Sequence, residues 1–114
     1  MRRVCSHCRE ERKIPAAERQ VYEREVGETR TLFEYGAGCN HCAGTGYRGR
    51  VAVFELLVLN DEVRRLVLRN ANSDDVQAAA LEAGMRTMLK DGMLKAKMGM
   101  TTPTEVLKNV FALH

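Results

Sequence analysis

Cys39-Asn40-His41-Cys42-Ala43-Gly44-Thr45-Gly46-Tyr47-Arg48-Gly49-Arg50 is the stretch that decides the fold, because its opening repeats a feature met earlier at Cys5-Ser6-His7-Cys8. Two C-x-x-C pairs separated by thirty residues supply four thiolates, the number that closes a tetrahedral structural zinc site with no position left for water. Two thiolates three positions apart in a tight turn face one metal, and two such turns clamp it from opposite sides. The glycines after Cys42 suit such a knuckle, which needs backbone able to enter positive φ where amide groups turn toward sulfur. Cys5, Cys8, Cys39 and Cys42 are therefore assigned as ligands of a structural Zn2+. A redox pair is the competing use of C-x-x-C, but neither copy sits in a βαβ pattern, and two copies with no further cysteine favour metal. Disulfides are a further alternative. His7 and His41 each lie inside a pair, so a set of three cysteines and one histidine is open, although exposed loop histidines are the simpler reading.

Size and composition set the frame around this clamp. A chain of 114 residues with 45% hydrophobic and only 5% aromatic content suits a compact mixed fold with an aliphatic core. Either half alone buries little surface, so a metal staple in the weaker half has a physical role. The net charge of +3 is spread with both signs interspersed, too mild to imply a nucleic-acid surface by itself. Cysteines arranged for metal rather than disulfides point to a reducing compartment. No apolar run approaches the ~20 residues of a membrane span and no signal-peptide pattern opens the chain, so the expectation is a cytoplasmic protein without direct membrane insertion. No phosphate-binding P-loop, G-x-G-x-x-G or H-E-x-x-H occurs, and the two serines, Ser6 and Ser73, lie outside any nucleophile elbow. The chain alone is expected not to be an enzyme.

Outward from the knuckles, Ile14-Pro15-Ala16-Ala17-Glu18 reads as a helix start with Pro15 at the first helical position, running to about Glu25 before Gly27. Its narrow stripe of Ile14, Ala17, Val21 and Tyr22 makes it a lid on the zinc lobe rather than a core helix. Thr31–Tyr35 is β-prone and Gly36-Ala37-Gly38 ends it. Arg50–Leu59 is the other strand candidate; apolar on both parities, it should be covered on both faces and join the zinc lobe to the helices. Met1–Val4 leaves little room for a strand. Arg2, Arg3 and Arg9 flank the first pair and would offset the formal charge of about −2 on a tetrathiolate zinc.

From Asn60 the character is helical. Asn60 caps a helix with Val63, Leu66 and Val67 on its stripe; Ser73 caps a second, with Asp74 and Asp75 in its first turn and Gly84 as its stop. Met85, Met88, Leu89, Gly92, Met93 and Ala96 recur at helical spacing in a third, which ends near Gly99, and close backbone packing accounts for Gly92 inside it. Thr102-Pro103-Thr104-Glu105 is a capping box opening a fourth helix that carries Val106, Leu107, Val110, Phe111 and Leu113. The fold expected is α+β, with a small zinc-stapled lobe of short strands over residues 1–57 and a compact four-helix lobe over residues 58–114.

Several of these motifs, taken together, resemble a known family. Arg2-Arg3-Val4-Cys5-x-x-Cys8, Gly38-Cys39-x-x-Cys42-x-Gly44-Thr45-Gly46-Tyr47-Arg48-Gly49-Arg50, Val53-Phe54-Glu55-Leu56-Leu57, Gly84-Met85, Lys90-Asp91-Gly92-x-x-Lys95 and Gly99-x-Thr101-Thr102-x-x-Glu105-Val106 resemble the C-terminal end of the type II secretion and type IV pilus assembly ATPases. The resemblance runs in order over essentially the whole chain. It implies a tetracysteine zinc subdomain at residues 1–57 and a closing helical subdomain at 58–114. It also implies a preceding RecA-like core, absent here, whose Walker A loop binds ATP and Mg2+. Such ATPases form hexamers at the cytoplasmic face of the inner membrane and drive a membrane platform that adds pilin or pseudopilin subunits. The partners implied are the parent core, neighbouring subunits of the hexamer and the platform proteins, with no nucleic acid. Arg48 and Arg50 also look like family residues, with structural ion pairs beside the zinc cluster as the plainer reading. The competing function is an independent zinc-dependent nucleic-acid binder using Tyr47, Arg48 and Arg50, against which stand the mild charge and the lack of interleaved aromatics. A chaperone-type repeat is a weaker alternative, since the C-x-x-C-x-G-x-G pattern occurs once, and a thiol–disulfide oxidoreductase would need a cysteine that stays reactive while zinc is bound.

Overall fold

Each C-x-x-C turn is a corner from which two strands leave, and the strands pair across the two corners. The computed structural model describes residues 1–55, 57 and 59–112. β1 (Arg2–Val4) and β2 (Arg9–Lys13) flank the first cysteine pair; β3 (Leu32–Gly36) and β4 (Tyr47–Arg50) flank the second. β1 pairs antiparallel with β4, Arg2 opposite Arg50 and Val4 opposite Tyr47, while β2 pairs antiparallel with β3 from Arg9–Gly36 to Lys13–Leu32. The result is two separate two-stranded ribbons. A short 3-10 turn, Asn40–Cys42, carries the second knuckle, and the helices are α1 (Ala16–Val26), α2 (Asp61–Leu68), α3 (Ser73–Glu82), α4 (Met88–Lys97) and α5 (Pro103–Ala112).

The mixed α+β class is as expected, but the strands differ in detail. β2 is Arg-Glu-Glu-Arg-Lys, exposed at every position, so no apolar alternation announces it. It forms because the first knuckle delivers it beside β3. The strand expected over Arg50–Leu59 does not continue past β4: residues 51–55 are irregular, and the Phe54 amide donates to the Asp91 carboxylate at 3.0 Å instead of to a neighbouring strand. Leu56 and Val58, which that expectation also covered, lie outside the described residues.

Two compact units emerge, Met1–Phe54 with Met88–His114, and Glu55–Thr87. The division expected at 57/58 is corrected accordingly, because α4 and α5 share a core with α1 and β3. That core buries Ile14, Tyr22, Phe33, Met93, Ala96, Val106 and Val110. Tyr22 and Phe33 meet edge to face with centroids 4.7 Å apart, and the Tyr22 hydroxyl donates to the Glu28 carboxylate. α1 is thus a core helix through Tyr22, not a lid. The second unit pairs α2 with α3 over a thin core of Val63, Ala79 and Ala80, with Leu66, Val76 and Met85 partly buried against it. α2 and α3 thus belong to one compact unit, and α4 and α5 to the other.

Helix starts follow local chemistry. Asn60 Oδ1 accepts from the Val63 amide at 2.8 Å, as its sequence context required. The second cap sits one residue before Ser73: Asn72 Oδ1 accepts from Asp75 at 2.9 Å. Thr102 Oγ1 accepts from the Glu105 amide at 3.0 Å, opening α5. Gly92 is a contact glycine, since a Cβ there would stand 2.7 Å from Val106 Cγ1.

The closest backbone approach joins the ends of β3 and the second knuckle. A Cβ at Gly36 would meet the Gly46 carbonyl oxygen at 2.0 Å. Gly36→Ala is accordingly expected to cost about 3 kcal/mol. Gly27→Ala faces open space and carries only the strain of a φ of +83°, about 1 kcal/mol. Urea unfolding of both variants checks the contrast; equal losses would mean that the Gly36–Gly46 approach is not a constraint.

Candidate metal centre

Short strands position the four sulfurs. Cys5 follows β1, Cys8 precedes β2, and Cys39 and Cys42 bracket the 3-10 turn between β3 and β4. Cys5 Sγ lies 3.8 Å from Cys39 Sγ, Cys8 Sγ 3.8 Å from Cys42 Sγ, and Cys39 Sγ 3.7 Å from Cys42 Sγ. All four sulfurs fall within 4.8 Å of one another. Ligands about 2.3 Å from a tetrahedral zinc are separated by about 3.8 Å along each edge, so this spacing fits the ion without rearrangement. Cys5 and Cys42 are buried, Cys8 and Cys39 half-buried, and all four are free thiols.

Main-chain amides aim at the cluster. Gly38 N–H donates to Cys8 Sγ at 3.3 Å, and the Cys39 and Gly46 amides donate to Cys42 Sγ at 3.2 Å each. The knuckle turns through three left-handed residues, Ala43 (φ 54°), Gly44 (φ 77°) and Gly46 (φ 81°). The glycines were legible in the sequence; Ala43 was not, because only the knuckle geometry holds an alanine there. Burial opposes ionisation of Cys42, yet the Cys39 and Gly46 amides draw its thiol down to about 6. At Cys8 burial and the crowding of the other sulfurs prevail and push it up to about 12. Four sulfurs this close could hold a cation that they share once ionised.

The histidines stand apart. His7 and His41 are exposed and stack on one another, ring centroids 3.8 Å apart and planes 18° apart. The grouped ligand atoms are the four sulfurs, with no imidazole among the described residues.

Two of the three arginines expected to offset the cluster are engaged elsewhere. Arg9 pairs with Glu34 on β3. Arg2 Nε and Nη2 each lie 3.0 Å from the two Glu105 carboxylate oxygens, its amide donates to Oε2 at 2.8 Å, and its guanidinium covers the Tyr47 ring at 4.2 Å. The Tyr47 hydroxyl lies 2.8 Å from Thr102 Oγ1. Sequence reasoning missed this link, because Glu105 had a sufficient local explanation as a capping-box acid. Arg48 and Arg50 are exposed and form no ion pair among the described residues, so the reading of them as structural ion pairs is not met.

Two knuckles, two ribbons and four converging thiols define a tetracysteine module whose sulfurs lie close enough to hold one metal ion. The profile of the type II/IV secretion system protein family matches residues 1–108, and the chain belongs to that family. It is 40% identical over 108 residues to the type IV pilus assembly ATPase PilB of Thermus thermophilus, covering 94% of this chain and 12% of that protein. It is 46% identical over 77 residues to type II secretion system protein E of Xanthomonas campestris, 68% of this chain and 14% of the relative. To type II secretion system protein HxcR of Pseudomonas aeruginosa it is 39% identical over 108 residues, 95% of this chain and 19% of the relative. The chain thus spans less than a quarter of the length of these curated relatives.

The Arg2–Glu105 pair gives the acid limb of stability a defined sign. Burial alone would raise the Glu105 pKa; the Arg2 hydrogen bonds and charge reverse this and hold it below its ordinary value of 4.5. Its contribution is complete above that value and is lost as pH falls through the lowered folded pKa. Arg2 is 45% exposed, which limits the gain, so Glu105→Gln is expected to cost about 1–2 kcal/mol at neutral pH and to flatten the acid limb. Parallel limbs for the parent and Glu105→Gln in urea unfolding across the acid range would refute the pairing.

Proposed function

We propose that this chain is the zinc-binding and assembly module at the C-terminal end of a type II secretion or type IV pilus assembly ATPase. The observation that carries the reading is the family match over residues 1–108, a stretch that includes all four cysteines. Cys5, Cys8, Cys39 and Cys42 then hold one structural Zn2+, and the sulfur spacing supports that assignment. A zinc with four thiolate ligands offers no open position for water or substrate, so its contribution is cohesion, not catalysis. The unit that carries the cysteines also carries α4 and α5, and the metal would brace both.

In this reading the remainder of the parent, a RecA-like core, binds ATP and Mg2+ and performs the hydrolysis. The parent assembles as a hexamer at the cytoplasmic face of the inner membrane. Its work moves platform proteins that add pilin or pseudopilin subunits. The module contacts its own core and neighbouring subunits and inserts no segment into the bilayer; no helix among the described residues is long and apolar enough to cross one.

Elemental analysis of protein purified under reducing conditions is expected to give one zinc per chain, with four thiols titratable only after chelation. Cys39→Ser should lose the metal and the order of the ribbons while part of the helical circular dichroism persists. Unchanged zinc content in that variant would remove the ligand assignment. Absence of both metal and free thiols in the parent protein would mean two disulfides, and would overturn the reading of the site.

A further inference from the structure

The basic side chains of the cysteine-bearing unit fall into two groups. Away from β1 and β4, most stand beside an acid: Arg9 with Glu34, Arg12 with Glu10, Arg19 with Glu23, Lys95 with Asp91 and Lys97 with Glu28. On the β1–β4 ribbon and the facing side of α5 the pattern changes. Arg48, Arg50 and Lys108 have no ion-pair partner among the described residues, and Arg2 alone has one, Glu105. Arg2 and Arg50 are direct cross-strand partners, which places two guanidinium groups on one face of the ribbon. Like charges in that relation are destabilising unless a negative group joins them. Arg2, Arg50, Glu105, Lys108 and Asn109 line, with Met1, a recess of about 180 Å3.

Arg2 is held as a receptor would hold it. Glu105, only 3% exposed, takes one edge of the guanidinium through Nε and Nη2, and Tyr47 backs its face. Glu105 is fixed in turn, its amide donating to Thr102 Oγ1 and its carbonyl accepting from Asn109 Nδ2 at 2.8 Å. A guanidinium has five N–H donors in a rigid fork, so an edge beyond the two engaged with Glu105 remains for another oxyanion. The Arg2–Glu105 pair is neutral as a unit. Among the side chains of the recess, Arg50 and Lys108 remain uncompensated, two positive charges that match a phosphate dianion better than a single carboxylate.

We infer that the recess between β4 and α5 is an oxyanion site for a phosphate group, with Arg2 and Arg50 as donors, Lys108 as a further charge and Glu105 as the residue that positions Arg2. The group reaches the site on a soluble phosphoryl compound or on a lipid headgroup; the chemistry of capture is the same.

The test is a titration of the metal-loaded chain with inorganic phosphate at fixed ionic strength, following the arginine Nε–H resonances by NMR, with chloride as the control anion. A saturable response at Arg2 and Arg50 is expected, and Arg50→Ala or Lys108→Ala should each weaken it about fivefold or more, while Lys13→Ala leaves it unchanged. Lys108 is exposed on α5, so its variant remains informative if Arg50→Ala proves poorly folded. A response no larger than that to chloride, or one that neither variant weakens, overturns the inference. Flotation with phosphatidylglycerol–phosphatidylcholine vesicles separates the sources. Vesicle binding displaced by inorganic phosphate supports the site with a lipid headgroup as carrier; saturable phosphate binding without vesicle binding supports it with a soluble carrier. Zinc content, measured on the same sample, reports on the clamp separately, so failure of one reading is not failure of the other.

Discussion

Four sulfur atoms about one tetrahedral edge apart are the constraint on which the ribbons depend. The four strands are short and each ribbon buries one side chain, Val4 in β1 and Phe33 in β3, so neither two-stranded ribbon has an apolar face broad enough to hold it together in water. What aligns them is the pair of corners. Once Cys5 meets Cys39 and Cys8 meets Cys42, β1 must run beside β4 and β2 beside β3, and Gly36 comes against Gly46 because no side chain intervenes. The amides that converge on Cys42 come from the same turns, so the backbone that builds the corner also lowers the cost of charging its sulfur.

A second closure ties the start of the chain to its last helix. The Val4 amide donates to the Met100 carbonyl at 3.0 Å, Thr101 Oγ1 donates to the Arg2 carbonyl at 2.9 Å, and Arg2 reaches Glu105. Loop-closure entropy grows only with the logarithm of loop length, so joining residues about a hundred apart costs little more than joining residues thirty apart. Val4 and Tyr47 are also the residues next to the knuckles in β1 and β4. The cysteine cluster and the start of α5 are therefore connected by a few hydrogen bonds through the β1–β4 ribbon. The unit formed by Glu55–Thr87 is differently built: three buried side chains over two helices make a thin core, and its local opening free energy should lie at the low end for the chain.

Membership of the type II/IV secretion system protein family gives this architecture a setting without prescribing all its parts. The four-cysteine cluster, which could hold a metal ion, lies next to a ribbon whose basic residues are largely uncompensated. Elsewhere in the same unit opposite charges are paired across β2–β3 and along α1. Paired surface charges contribute little stability, whereas an unpaired cluster of one sign is an electrostatic feature that another molecule can read.

Local chemistry is what the sequence determined by itself. The clustering of the four cysteines, the glycines of the second knuckle, the Asn60 cap, the Thr102 cap and the buried role of Gly92 were all legible, because each depends on residues a few positions away or on a donor set whose spacing suits a shared ion. The Asn72 cap was misread by one residue, since Asn and Ser are nearly equivalent at that position. What only the tertiary structure decided was which segments lie side by side. β2 is invisible to hydrophobic periodicity because it buries nothing. In the segment after Arg50 the Phe54 amide goes to Asp91 rather than to a strand, and α4 and α5 pack where Met93 and Val106 fit the core that Tyr22 and Phe33 begin. Glu105 shows the limit most clearly: its spacing from Thr102 explained it as a cap, and only the fold brought Arg2, 103 positions away, to its carboxylate. Short-range rules assign a residue to its element, but pairing across long sequence separations is settled by which surfaces can be buried together.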